Sequence, residues 1–329
     1  MKHLEALKPD LIPLQIFTKR AYSGSMKLPN QLNATRTDFP TLGLFALASL
    51  ATVALGSAGL ALGGAASGSW VRNPAAWLAG LGIAGSIVAA GRSAAVSRGA
   101  ILLTLVALAA TFLSPAQSGV QRWIDAGPLH INIAALLLPL AIVALATAQL
   151  AAPLFLAAVA ATGLLLVAQP DASQATAFLL VAGFLVLRGG MPRATKIAGA
   201  LGIAALTIAA WLRPDPLEPV PEVEGIFALL AAVSPALAGL AGVGIAITAL
   251  IPLRRAATAE ERTAEAAKAL VLYFAAVAIA PAAGVFPVPL VGLGMSFPVG
   301  YWMGMALLCA RARQRAPQKA NRGSRARSA

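Results

Sequence analysis

Short polar stretches divide this chain into ten long apolar segments. The segments cover about 39–66, 75–91, 98–114, 131–148, 151–168, 173–188, 194–212, 226–252, 265–284 and 288–310. Their apolar residues form continuous runs and do not repeat with the spacing of a soluble helix or strand. Each run suits one helical crossing of a hydrocarbon layer roughly 30 Å thick. The pattern predicts an all-α, polytopic membrane protein with ten transmembrane helices.

Basic residues predict how these helices are oriented. An even number of spans places both termini on one side, and the Lys- and Arg-rich ends place that side in the cytoplasm. Of the 25 Lys and Arg residues, 22 then fall in cytoplasmic arms and loops, and only Arg72, Arg122 and Arg213 fall outside. We therefore expect a multi-pass membrane protein with the N and C termini in the cytoplasm.

Three regions follow from this division. Residues 1–38 form a cytoplasmic N-terminal arm, residues 39–311 form the membrane domain, and residues 312–329 form a basic cytoplasmic tail. Within the arm, HLEALKPDLIPLQIF could lie on the membrane surface, although Pro9 and Pro13 argue against one long helix. The tail lacks interleaved aromatic residues, so we expect membrane lipids rather than nucleic acid as its partner.

The sequence contains few residues that could hold a metal or form a known catalytic motif. Its composition is 59% hydrophobic and 11% charged, with one cysteine, Cys309, and two histidines, His3 and His130, which the topology places on opposite sides. We expect no His or Cys metal site. The cytoplasmic stretch 254–268, RRAATAEERTAEAAK, indicates a solvated helical face with a pair between Glu265 and Lys268. Any chemistry is expected at the outer side.

The first polar loop on that side is SGVQRWIDAGPLHIN, residues 118–132. Arg122 and Asp125 are three residues apart around Trp123, which suits a short interfacial helix with its own ion pair and an aromatic anchor. An alternative is that Arg122 binds an anionic headgroup such as a lipid diphosphate, because its planar guanidinium fits phosphate oxygens.

The next outer loop is AQPDASQATAF, residues 168–178. Asp171 or Ser173 can cap the sixth helix, and Pro170 sets the turn. Gln169 has no such local explanation.

Two further outer segments carry unusual chemistry. RPDPLEPVPEVEGIF, residues 213–227, holds four acids, and Glu222 and Glu224 stand just before the eighth span. These two acids either compensate a helix dipole, or one of them is a catalytic base or a cation ligand. The corner GVFPVPLVGLGMSFPVGYW, residues 284–302, has prolines and glycines that predict irregular backbone lining a cavity or packed against protein.

Four motifs in these segments, in order, resemble those of the SEDS family of bacterial cell-wall proteins (shape, elongation, division and sporulation). Residues 119–127 resemble G-x-x-R-W-[IL]-D-x-G, residues 169–176 resemble Q-P-D followed by an apolar helix, and residues 287–296, which end at Ser296, resemble P-x-P-[LF]-[VI]-S-Y-G-G-S. Residues 221–228 resemble the P-E-x-H-T-D-F-I-F-A that precedes the family's eighth span. The resemblance covers residues 39–311.

The resemblance implies a ten-span peptidoglycan glycosyltransferase of a bacterial inner membrane. Family members polymerise lipid II: a carboxylate deprotonates the acceptor hydroxyl, which attacks a donor sugar whose undecaprenyl diphosphate leaves. Glu224 aligns with the family's catalytic aspartate, with Glu222 beside it. The matched motifs suggest substrate contacts by Arg122, Trp123, Asp125, Gln169, Asp171 and Ser296. A class B transpeptidase is the implied partner. The sequence identifies no cofactor and leaves a divalent cation open.

Two alternatives remain from the sequence. The family carries a long outer loop between spans seven and eight, and this chain has only residues 213–225 there. That difference favours a non-catalytic member that binds lipid-linked precursor or acts as a scaffold in a division or elongation complex. A small-solute transporter has less support, because the spans contain almost no charge near the membrane midplane.

Overall fold

The computed structural model of the chain describes residues 37–127 and 129–310. The predicted surface segment HLEALKPDLIPLQIF and the basic tail lie outside the described residues. The boundary between arm and membrane domain remains a prediction, although the first helix begins where the apolar run begins, at Phe39.

Helices make up about three quarters of the described structure. In chain order they are α1 Phe39–Leu62, α2 Ser67–Trp70, α3 Arg72–Ala90, α4 Ala94–Ala110, α5 Ile133–Thr147, α6 Ala152–Ala168, α7 Ala172–Arg188, α8 Arg193–Leu212, α9 Ile226–Val233, α10 Pro235–Leu250, α11 Leu253–Thr258, α12 Glu261–Ala283 and α13 Ser296–Cys309. Two short strands, β1 Trp123–Ala126 and β2 Leu129–Asn132, form an antiparallel hairpin before α5.

A helix occupies each of the ten predicted apolar segments, which confirms the all-α polytopic fold class. Within the described residues, six helical stretches are long and apolar enough to cross a membrane: Phe39–Leu62, Ser67–Ala90, Ala94–Leu113, Arg193–Leu212, Pro235–Thr258 and Glu261–Ala283. The helices α5, α6, α7 and α13 are apolar but shorter. The count of ten crossings and the cytoplasmic placement of the termini remain predictions.

Local sequence explains where several helices begin. Asp38, Ser93, Asn132 and Asp171 each accept a hydrogen bond from a backbone N–H in the first turn of the following helix. Such side-chain caps satisfy donors that have no partner inside the helix. The sequence prediction that Asp171 or Ser173 caps the sixth span is therefore confirmed for Asp171.

Two predicted spans differ from the observed helices. The eighth is broken at Ser234 into α9 and α10, because Pro235 has no N–H to donate and fits the first position of a new helix. The tenth begins at Ser296, not at 288, and residues 284–295 form the irregular backbone that the prolines and glycines predicted.

The helix α13 lies in the core, and all fourteen of its residues are buried. Small residues let it approach its neighbours closely: a Cβ built on Gly300 meets the carbonyl oxygens of Ala135 and Leu136 in α5. Its Trp302 packs edge-on against Phe45 of α1 and Trp77 of α3, at ring-centroid distances of 5.0 and 5.4 Å. Close backbone contact of this kind is typical of helix packing in membranes.

The predicted interfacial helix around Arg122 is wrong. Residues Trp123–Ala126 and Leu129–Asn132 form the hairpin, in which Asp125 pairs with His130 across the strands. Gly127 has a positive φ of 61°, which suits a tight turn between strands. The predicted ion pair between Arg122 and Asp125 is also wrong, because Asp125 Oδ1 lies 2.6 Å from His130 Nδ1.

The prediction of a solvated face for residues 254–268 is only partly correct. Lys268 Nζ lies 3.0 Å from Glu265 Oε1, as predicted. Arg255, however, is buried, with 2% of its surface exposed.

Polar groups gather at the two ends of the helical bundle. The hairpin, the segment 213–225 and the corner 284–295 lie at one end, which we call the hairpin end. The starts of α1, α4 and α12 and the last residues of α13 lie at the other, which we call the arginine end, since Arg92 and Arg255 are found there. The predicted outer side corresponds to the hairpin end.

Candidate functional site

Arg122 lies at the centre of a polar cluster at the hairpin end. Its side chain is buried, and its Nε donates to the carbonyl oxygen of Gln169 at 3.1 Å. Its Nη2 donates to the carbonyl of Pro170 and to Asp215 Oδ2, the latter at 2.6 Å. Asp171 Oδ2 is 3.8 Å from Nε. Two carboxylates of this chain therefore neutralise Arg122.

Asp171 holds the start of α7 and closes one side of this cluster. Its Oδ1 accepts hydrogen bonds from Gln174 N at 3.1 Å and Ser173 Oγ at 3.0 Å. One turn further on, Gln174 Oε1 accepts from the buried hydroxyl of Tyr273 at 2.6 Å, which ties α7 to α12. Asp171 is therefore both a cap and a charge beside Arg122.

Gln169, which had no local explanation in the sequence, connects the turn between α6 and α7 to the end of α4. Its side chain is fully buried, and its Nε2 donates to Leu108 O at 3.1 Å and Thr111 Oγ1 at 2.7 Å. Its Oε1 has no partner among the described residues. The amide therefore fixes the backbone whose carbonyls contact Arg122.

Glu224 lies on the turn before α9, within electrostatic reach of this cluster. Its carboxylate accepts a hydrogen bond from Val220 N at 2.8 Å. Burial raises the pKa of the Glu224 carboxyl; the negative charge of Asp215 adds to this rise, whereas the Val220 N–H and the charge of Arg122 oppose it. A half-buried carboxylate whose proton affinity is raised in this way is suited to accept a proton.

The turn that carries Glu224 is held by the corner between α12 and α13. Leu293 N donates to Glu222 O at 2.8 Å, and Val288 N donates to Val223 O at 3.3 Å. Gly292 approaches this turn so closely that a Cβ there meets Val223 O at 2.5 Å. The corner motif and the acidic motif, far apart in the chain, therefore form one structure.

Asn73 organises this corner, and sequence reasoning missed it. It is buried at the start of α3, and its Nδ2 donates to Gly292 O at 2.8 Å and Leu290 O at 3.4 Å. Its Oδ1 accepts from Gly294 N at 3.0 Å. The only signal was an amide next to Arg72 in a largely apolar stretch, WVRNPAAW. Ser296 is buried directly after the corner, at the first position of α13.

The remaining predicted residues lie on the hairpin. Trp123 is half-buried, and its ring centroid is 6.0 Å from Arg122 Cζ. Asp125 is paired with His130 toward the hairpin turn and makes no ion pair with Arg122. The structure thus brings Arg122, Gln169 and Asp171 together with Asp215, an acid that the sequence reasoning did not single out among the four in residues 213–227. It places Glu224 within electrostatic reach of Arg122 and Asp215. No group of three or more His, Cys, Asp or Glu residues in the described parts of the chain could hold a metal.

The fold and these features define a class: a polytopic helical membrane protein with a charged cluster at one end of the bundle. No protein-family profile matches the sequence, and no curated protein matches it. Several solved structures are similar to this chain.

The first similar structure is the rod shape determining protein RodA of Thermus thermophilus, at 19% identity and a TM-score of 0.57, over 86% of this chain and 97% of that one. An aspartate-to-alanine variant of the same protein matches at 20% identity and a TM-score of 0.60, over 84% and 97%.

A chain from a peptidoglycan synthase complex, described as coordinating polymerization and crosslinking, is also similar. It matches at 21% identity and a TM-score of 0.62, over 85% of this chain and 99% of that one. These likenesses show that this chain shares the fold of RodA along most of its length, as the sequence resemblance implied.

Proposed function

We propose that this chain is a divergent SEDS-type protein of peptidoglycan synthesis in a bacterial inner membrane, with a role in cell shape or division. The fold it shares with RodA and with a chain of a peptidoglycan synthase complex supports this proposal. The order of the four sequence motifs supports it independently of the fold.

Within that role, we propose a glycosyltransferase reaction on an undecaprenyl-diphosphate-linked sugar. The observation that carries this proposal is the environment of Glu224. Its carboxyl is half-buried, and burial raises its pKa. The resemblance aligns Glu224 with the family's catalytic aspartate. As a general base, Glu224 accepts the proton of the acceptor hydroxyl. The hydroxyl oxygen attacks the anomeric carbon, and the bond from that carbon to the diphosphate oxygen breaks.

Arg122 is the proposed contact for the departing diphosphate. A guanidinium can donate two parallel hydrogen bonds to phosphate oxygens and so stabilises negative charge on the leaving group. For that to occur, Arg122 must exchange its bond to Asp215 for one to the substrate. Asp215 is the carboxylate that can move, because its side chain is 29% exposed and belongs to the loop 213–225.

A second function is favoured by the same contact. If the pair of Arg122 and Asp215 persists in the presence of precursor, the arginine is not available to a diphosphate, and the chain acts as a non-catalytic precursor-binding protein or as a scaffold. In either case a class B transpeptidase is the proposed partner, by analogy with the peptidoglycan synthase complex whose chain has the same fold. The proposed orientation has both termini in the cytoplasm.

The test uses purified full-length protein and fluorescently labelled lipid II. We expect glycan chains on a gel, and their loss in Glu224→Ala, whereas Glu222→Ala, which removes an acid only two residues away, retains them. Glu224→Asp should retain part of the activity. Binding of lipid II without polymer would support the scaffold function. Absence of both polymer and binding would contradict the cell-wall assignment.

A further inference from the structure

A cleft at the arginine end, far from the cluster around Arg122, has unusual chemistry. Its volume is about 860 Å³, and its lining includes Thr37, Asp38, Thr41, Arg254, Arg255 and Thr258. The lining residues come from the start of α1 and from α11. Arg254 is exposed, whereas Arg255 is buried against the bundle.

Arg255 has donors that the protein leaves without a partner. Only 3% of its side chain is exposed, and its Nη1 donates to Asp38 Oδ2 at 3.2 Å. Its Nε and Nη2 are buried and make no hydrogen bond to any residue that the structure describes. The same carboxylate also accepts hydrogen bonds from the backbone N and the hydroxyl of Thr41.

A second arginine increases the positive charge behind this cleft. Arg92, on the connection between α3 and α4, has a side chain that is 11% exposed, and its Nη1 is also buried without a partner among the described residues. Its closest carboxylate oxygen, on Glu260, is 3.9 Å away. Burial lowers the pKa of Arg92, the charge of Glu260 opposes this effect, and the charge of Arg255 adds to it. The guanidinium groups of Arg92 and Arg255 therefore lie within electrostatic reach of each other.

Unpartnered buried guanidinium donors are unfavourable, because each loses its hydration without gaining an acceptor. Here three arginines, Arg92, Arg254 and Arg255, face two carboxylates, and three buried nitrogen atoms have no acceptor. An oxyanion with several acceptor oxygens would satisfy adjacent N–H groups of one guanidinium with two parallel hydrogen bonds. Phosphate has this geometry, and arginine is well matched to it.

We propose that this cleft binds a phosphate group, with Arg255 Nε and Nη2 as the principal donors and the exposed Arg254 as a second cation at its mouth. Two sources share this chemistry: the headgroup of an anionic phospholipid, and a soluble phosphate. The exposed side chains of Phe39 and Leu253 beside the cleft suit acyl chains. The site is independent of the reaction proposed for the hairpin end.

The experiment measures the thermal unfolding of the full-length protein in detergent, at constant ionic strength. Three additions are compared: short-chain phosphatidylglycerol, short-chain phosphatidylcholine and sodium phosphate. A ligand that binds only the folded state raises the melting temperature, and the rise increases with the ligand concentration relative to its dissociation constant. We expect a concentration-dependent rise with phosphatidylglycerol if the source is a lipid, or with sodium phosphate if it is soluble, and no comparable rise with the zwitterionic lipid.

Variants decide whether the cleft is responsible. Arg255→Gln and Arg254→Gln should each lower the affinity for the ligand that raises the melting temperature by about tenfold or more. This is the loss expected for one charge-assisted hydrogen bond. Arg193→Gln is the matched control, because Arg193 is also exposed at the arginine end but lies on α8, away from the cleft. Arg254→Gln tests whether the cleft binds the ligand even if Arg255→Gln does not fold. A response to none of the additions, or an undiminished response in Arg254→Gln, overturns the proposal.

Discussion

Asp215 Oδ2 lies 2.6 Å from Arg122 Nη2, and this ion pair joins the loop before α9 to the residue just before the hairpin. The two residues are 93 positions apart in the chain. Arg122 is buried and Asp215 is partly exposed, so the carboxylate can leave at lower cost than the guanidinium. The contact places an acidic group of the chain itself where a diphosphate is expected to bind.

Replacing Asp215 with Asn should therefore strengthen binding of undecaprenyl diphosphate. The substitution removes one negative charge that competes for Arg122, and we expect the affinity to increase by about tenfold, equivalent to about 1.4 kcal/mol. Binding is measured with the fluorescent diphosphate and purified protein in detergent.

Glu218→Gln is the control, since it removes an exposed acid three residues further along the same loop. Equal affinity gains in the two variants would point to a general charge effect and would contradict competition at Arg122. A loss of affinity in Asp215→Asn would show that the acid takes part in substrate binding.

Glu224 should give the activity a pH dependence. A general base must be ionised, so the rate is expected to rise with pH through the raised pKa of this carboxyl. In Asp215→Asn the rise of the rate with pH should occur at lower pH, because the negative charge of Asp215, which raises the pKa of Glu224, is removed. The measurement is the initial rate of lipid II polymerisation between pH 4 and 9, and an unshifted rise would exclude Glu224 as the titrating base.

The same group should make stability depend on pH. The folded state holds the Glu224 proton more tightly than the unfolded state, so this carboxyl makes folding less favourable as pH rises from the ordinary value of 4.5 through the raised pKa. Glu224→Gln removes this contribution. Its melting temperature relative to the parent protein should therefore increase between pH 4.5 and pH 7, and a constant difference would argue against a raised pKa.

Asn73→Ala should loosen the corner between α12 and α13. The side chain makes three hydrogen bonds to backbone groups of residues 290–294, and its removal leaves buried N–H and C=O groups without a partner. We expect a loss of about 2 to 4 kcal/mol in the free energy of unfolding, measured by denaturant titration in detergent. Ser86→Ala, on the exposed face of the same helix, should change it little.

Gly300→Ala should prevent close packing of α13 on α5. A methyl group at this position meets Ala135 O and, at 2.7 Å, Leu136 O, and backbone atoms cannot move aside as a side chain can. The expected cost is about 1 to 3 kcal/mol or more. Gly82→Ala is the matched control, because nothing lies within 4 Å of its added methyl. Comparable melting temperatures for the two variants would contradict this close packing of α13 on α5.

The sequence predicted the positions of the helices well, and it identified part of the candidate site. Long apolar runs fix where helices lie, since a helix satisfies its backbone hydrogen bonds within one segment. The Asp171 cap and the pair of Glu265 and Lys268 were also predictable, because both join residues only three positions apart.

The tertiary structure alone decided which distant polar groups meet. It paired Arg122 with Asp215 rather than Asp125, brought Asn73 to the corner before α13, and buried Arg255 on a stretch that looks solvated in the sequence. A buried polar group takes whichever partner the packing of several helices places within reach, and helical periodicity carries no information about that choice. The sequence thus determined the helices, and their packing determined the site.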